Sequence, residues 1–137
     1  MLVIGEERDR ALGEKRFSTA LMRLASGISV HPELDHICGP LKYSYEPEDF
    51  SPRDLDVVPL WEGNSSITGF VEAPDGVVFV RYEVEYLDQY EVVARTEFGL
   101  WVDLFRRSID ESFAREIGAA AEVPDLDEIL SAAYGVP

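Results

Sequence analysis

The tripeptide Pro74-Asp75-Gly76 constrains this chain more than any other feature. Proline fixes φ, aspartate bonds back to its own backbone and glycine admits positive φ, so the three reverse a chain within a few residues. Runs suited to strands flank it, Ser66 to Ala73 on one side and Val77 to Tyr86 on the other. Together they predict a β-hairpin. In the second run Val78, Val80, Tyr82, Val84 and Tyr86 share one face, because strand side chains alternate. Val77 and Phe79 take the other face, followed by Arg81, Glu83 and Glu85. Apolar residues on both faces at the start predict a central strand, and the later charges predict a half-solvated end.

The neighbouring segments extend this hairpin into a meander. Val57-Val58-Pro59-Leu60-Trp61 is a short apolar run whose proline marks an edge strand or a strand start. Glu62-Gly63-Asn64-Ser65 is turn chemistry, as is Leu87-Asp88-Gln89-Tyr90, and Glu91 to Arg95 supplies a last short strand. Helices are expected at both ends. Phe17, Leu21, Leu24 and Ile28 recur at helical spacing within a helix from Arg8 to Ser26, and Gly27 stops it. Thr96 caps a helix to Ser108 with the apolar face Leu100, Trp101, Leu104, Phe105 and Ile109. Two more helices follow, Ser112 to Ala121 and Asp125 to Tyr134, the second capped by Asp125. Pro32, Pro40, Pro47 and Pro52 interrupt residues 29–56, where Lys42-Tyr43-Ser44-Tyr45 reads as a short strand and Asp49 or Ser51 as the cap of a single turn. The expectation is a single α+β domain over residues 1–137, with a mostly antiparallel sheet flanked by N-terminal and C-terminal helices.

Charge sets the class of partner. There are 27 acidic side chains against 12 basic ones, a net charge of −15. The first 26 residues are nearly neutral, so the surplus lies downstream of them. Such a field repels phosphate backbones and anionic membranes, which argues against nucleic-acid and membrane partners, and it speeds encounters with basic surfaces. It also serves solubility alone. Cys38 is the sole cysteine, which fits a reducing compartment. Charges from Glu6 onward leave the apolar start too short for a signal peptide, so a cytoplasmic location is expected.

Catalytic equipment is sparse. His31, Glu33, Asp35, His36 and Cys38 are ligand types that zinc accepts, but their spacing matches no standard zinc pattern. A small metal-dependent enzyme built on the His31–Cys38 loop is the alternative reading that this cluster keeps open. No Gly-x-Ser-x-Gly elbow, phosphate-binding loop or dinucleotide fingerprint occurs, and no cofactor is expected. Arg106-Arg107 suits the C-terminal end of a helix dipole better than an anion site.

The acids beyond the hairpin carry the binding expectation. Glu83, Glu85, Asp88 and Glu91 bracket a turn, with Tyr86 and Tyr90 among them. Carboxylates interleaved with aromatic rings suit a basic protein partner: charges steer and rings supply contact area. Trp61 and Glu62, at a strand end, form a second candidate patch. A monomer or a weak homodimer is expected.

A family resemblance points the same way. It runs through Val57-Val58-Pro59-Leu60-Trp61-Glu62-Gly63-Asn64, the hairpin ending in Val78-Phe79-Val80, then Val92-Val93-Ala94, then the capped helix with Leu100, Trp101, Leu104 and Phe105. Over residues 57–105 the chain resembles the SUKH superfamily, the Smi/Knr-like domains. That resemblance implies an antiparallel sheet flanked by helices and a binding role without catalytic residues. Bacterial members are commonly immunity proteins that neutralise toxins, often nucleases, by direct association. Fungal relatives act as adaptors.

Overall fold

The computed structural model describes residues 1–40 and 51–135. The expected strand at Lys42–Tyr45 and the cap at Asp49 fall outside them. Among the described residues ten elements follow in order: α1 (Gly5–Glu14), α2 (Thr19–Ala25), α3 (Pro32–Asp35), β1 (Val58–Gly63), β2 (Ser66–Ala73), β3 (Gly76–Glu83), β4 (Glu91–Ala94), α4 (Glu97–Ser108), α5 (Glu111–Ala121) and α6 (Leu126–Tyr134). The α+β class and the helices at both ends are as expected.

The four strands form one sheet in the order β1-β2-β3-β4, each neighbour antiparallel. Pro74 and Asp75 make the tight turn, and Ala73 pairs with Gly76 across it. β3 is central, and both of its faces are covered. On one face Phe70 and Phe79 are fully buried, with the Phe17 ring 5.5 Å and 5.8 Å from theirs. That face carries the main core, into which the buried residues of α2 and α4–α6 also pack. On the other, Ile67, Val80 and Tyr82 cluster with Leu2 and Val57.

The N-terminal helix is not continuous. Lys15 leaves α1 in extended geometry, and Ser18 starts α2 afresh, its Oγ accepting from the Leu21 amide at 3.2 Å. Apolar spacing alone passes over such a break, since Phe17 still reaches the core from the linker. The Gly27 stop holds. With φ +77° it lets the Ile28 amide donate to Arg23 and its own amide to Leu24, satisfying carbonyls at the helix end. That reversal turns Ile28 outward, 49% exposed, instead of onto the apolar face. Arg8 fastens the two helices to the sheet by donating to the carbonyls of Ala25 (2.6 Å), Pro59 (2.7 Å) and Leu60 (3.2 Å).

At the other end, Thr96 caps α4 through the Gly99 amide at 3.0 Å, and Leu100, Trp101, Leu104, Phe105 and Ile109 are all buried as predicted. Glu97 accepts from Trp101 Nε1 (2.9 Å) and from the amide (2.8 Å) and hydroxyl of Ser18, which joins α4 to the start of α2. α5 is capped by Asp110. Asp125 precedes α6 but makes no cap bond, because its left-handed backbone (φ +54°) turns the chain instead. Among the described residues no helix is long and apolar enough to cross a membrane.

The sheet has two different edges. β1 is an edge strand, as Pro59 suggests, yet its outer side is closed by a parallel bridge from Leu2 to Val57 and an antiparallel bridge from Gly39 to Glu62. The second closure needs glycine at position 63, where a Cβ would come within 2.6 Å of the Ile37 carbonyl oxygen. Gly63→Ala is expected to lower stability by about 1–3 kcal/mol, because the backbone of one partner must move. Urea denaturation of the variant beside wild type measures this, and an unchanged midpoint would show that the 37–40 segment yields freely.

Candidate functional site

The β3–β4 connection carries the candidate surface. β3 stops at Glu83, three residues earlier than the alternation suggests. Two turns follow, with the Tyr86 amide donating to Glu83 at 3.1 Å and the Gln89 amide to Tyr86 at 3.2 Å. The turns lift Tyr86 off the face it was expected to share with Tyr82. Tyr82 is buried, whereas Tyr86 is 60% exposed and Tyr90 48%. Glu83, Glu85, Asp88 and Glu91 are exposed as well. Six of the eight expected contact residues therefore lie at the surface around one short connection.

Their charges are not equivalent. Glu91 is held by two arginines, Arg81 at 3.1 Å and Arg107 at 2.6 Å. Arg81 also pairs with Asp103 of α4. This network pins the base of the connection to the sheet and to α4. Partial burial pushes the Glu91 carboxyl upward, but hydrogen bonds and charge from Arg107 and Arg81 outweigh it and leave the group below its ordinary value. Glu83, Glu85 and Asp88 form no ion pair among the described residues, so their charge is available to a partner. Arg81, Glu83, Tyr86, Tyr90 and Arg107 line a shallow groove of about 520 Å³.

Trp61 and Glu62 leave the candidate surface. Trp61 is 2% exposed and Glu62 4%. Both lie in β1, which the main core and the Gly39 bridge enclose. A proline-marked edge strand at the end of a meander reads as accessible, and the segments that cover it are remote in sequence. Conversely, Arg81, Arg107 and Val92 belong to the site region but were not expected there; Arg107, expected to complement a helix dipole, pairs with Glu91. Arg81 carried a usable signal: it continues the face of Val77 and Phe79, where a cation needs carboxylates close by.

In the His31–Cys38 loop two of the expected ligand types make local structural contacts. His31 caps the short α3, its Nδ1 accepting from the Glu33 amide at 3.1 Å. Asp35 accepts from Ser29 at 2.7 Å. His36 is exposed while Cys38 is buried. Burial pushes the Cys38 thiol far up, with Asp35 adding to the shift and Arg81 partly opposing it. Among the described residues no three His, Cys, Asp or Glu side chains come together as a metal ion would require. Arg106 donates to the Ala132 (2.8 Å) and Ala133 (3.3 Å) carbonyls at the end of α6, and so neutralises a helix C-terminus.

No known protein family, curated protein or solved structure matches the chain.

The arginine pairing of Glu91 has a pH signature. A folded value below the ordinary one contributes stability that is present above about pH 4.3 and is lost as pH falls through the depressed value. Glu91→Gln should therefore show a lower urea midpoint than wild type at neutral pH, and the gap should close as pH drops through that window. A gap that persists unchanged in acid would assign Glu91 a packing role instead of an ionic one.

Proposed function

We propose that this protein is a non-enzymatic binding module that engages a basic protein through the β3–β4 connection. One observation carries the reading. Glu83, Glu85 and Asp88, without ion pairs among the described residues, surround two exposed tyrosines on a base fixed by the Arg81–Glu91–Arg107–Asp103 network. Free carboxylates accelerate encounter with a positive surface, and rigid aromatic rings then supply contact area at little entropic cost. The net charge of −15 extends the attraction beyond the contact itself.

Within that class an immunity-type role fits best. One way to inhibit a nuclease toxin is to fill its basic, substrate-binding cleft, and an acidic loop with aromatic anchors has the chemistry to occupy it. The SUKH-like pattern over residues 57–105 supports the same role, and an adaptor would use the same surface without blocking a cleft. A cytoplasmic site of action belongs to this proposal.

Triple charge reversal, Glu83→Lys/Glu85→Lys/Asp88→Lys, tests it against a partner captured from the source cell and verified by direct binding. The association rate should fall by about tenfold or more at low salt, and its dependence on ionic strength should flatten. An unchanged rate would remove this surface from the interaction.

A further inference from the structure

The two edges of the sheet are treated in opposite ways, and this points to how a partner would be held. The β1 edge is occupied by Leu2 and Gly39, and Gly63 permits the close approach. β4 pairs with β3 on one side and, among the described residues, with no strand on the other. Natural edges are commonly blunted by lysine or proline, by other charges, by bulges or by shortness. Glu91-Val92-Val93-Ala94 has no lysine or proline, and its protection comes from its four-residue length, the ion-paired Glu91 and the irregularity at Val93. Val92 sits directly across from the buried Val80 yet is 52% exposed. The pairs Val80–Val92 and Phe79–Ala94 leave Val93 as an extra residue, so the regular edge lies at its Glu91–Val92 end, against the candidate loop.

We propose that the outer edge of β4 receives an extended, basic segment of the partner as a fifth strand. The inference rests on the reading of the β3–β4 connection as a docking surface for a basic protein, and adds the main-chain geometry. Strand addition supplies backbone hydrogen bonds, while side chains on alternate positions set specificity. Here one face of the incoming strand meets Val92, and the segment entering from Tyr90 passes the Tyr86–Tyr90 groove. Charge complementarity selects the occupant. A second copy of this chain would bring two sets of Glu83, Glu85 and Asp88 together on a net charge of −15, whereas a lysine- or arginine-bearing strand neutralises them. The short edge gives few main-chain bonds, so affinity depends on the tyrosines and acids acting with it.

The test uses the full chain, isotope-labelled, and a peptide of about twelve residues alternating lysine with threonine, an extended cationic probe. Two further peptides carry backbone N-methyl groups on odd or on even residues, preserving charge and side chains while removing amide donors. The parent peptide should perturb Glu83, Glu85 and Asp88, weaken with added salt, and slow hydrogen exchange within Glu91–Ala94. One N-methylated peptide should bind about tenfold more weakly and the other nearly as well, since only alternate amides face the edge. Val92→Lys should weaken the parent peptide, with circular dichroism confirming its fold. If both N-methylated peptides match the parent while the loop acids still respond, strand addition is wrong and the acidic docking surface stands. If no peptide gives salt-sensitive perturbation at the loop or at β4, both are overturned.

Discussion

An arginine placed on the core-facing side of a central strand must be compensated, and much of the surface architecture follows from how Arg81 meets that demand. Its side chain is 17% exposed, in line with Val77 and Phe79, and it draws in Glu91 from β4 and Asp103 from α4. A partly buried cation without a counter-charge is costly, so three elements are obliged to meet at one point. Arg107 then closes on Glu91 from the last turn of α4. The turns between β3 and β4 spring from this fixed base. Ion pairing therefore does two things at once: it immobilises the stem, and it divides the acids into those consumed by the fold and those left over.

The same division holds across the molecule. Lys15 meets Glu72 at 2.7 Å, Arg23 meets Glu122 at 2.8 Å and Arg115 meets Asp127 at 2.7 Å, pairs that join residues far apart or on different helices. With 27 acids and 12 bases, pairing cannot consume the surplus. Exposed pairs of this kind are individually weak, so they orient segments more than they hold them, and the apolar layers on both sides of the sheet hold the fold together. Unpaired acids then act as a field, and their placement beside exposed tyrosines gives that field a contact point.

Most of the fold was legible because its signals are local. Pro74-Asp75-Gly76 defines the hairpin, Thr96 opens α4, and the spacing of Leu100, Trp101, Leu104 and Phe105 names a buried face that the structure retains. Errors arose where a remote contact decided the outcome. Ser18 restarts a helix and is tied to Glu97, 79 residues away, so the first helix is two. Trp61 and Glu62 look accessible from their strand-end position, but Leu2 and Gly39 seal that edge. In the candidate site, the clustering of acids and tyrosines around a turn could be read from the sequence, whereas alternation placed Tyr86 with the buried Tyr82 and so missed its exposure. The arginine pairing that spends Glu91 could not, since Asp103 and Arg107 come from a helix whose docking angle no local pattern specifies.

Cys38 gives the molecule a built-in clock. It is the one thiol in the chain, 4% exposed within the segment that seals β1, and its burial keeps the reactive thiolate scarce. A thiol reagent can modify it when an opening exposes it, of which the lifting of the 37–40 segment from the strand is the most local. The rate of alkylation therefore follows those openings, and reports the breathing of the closed edge with no residue replaced.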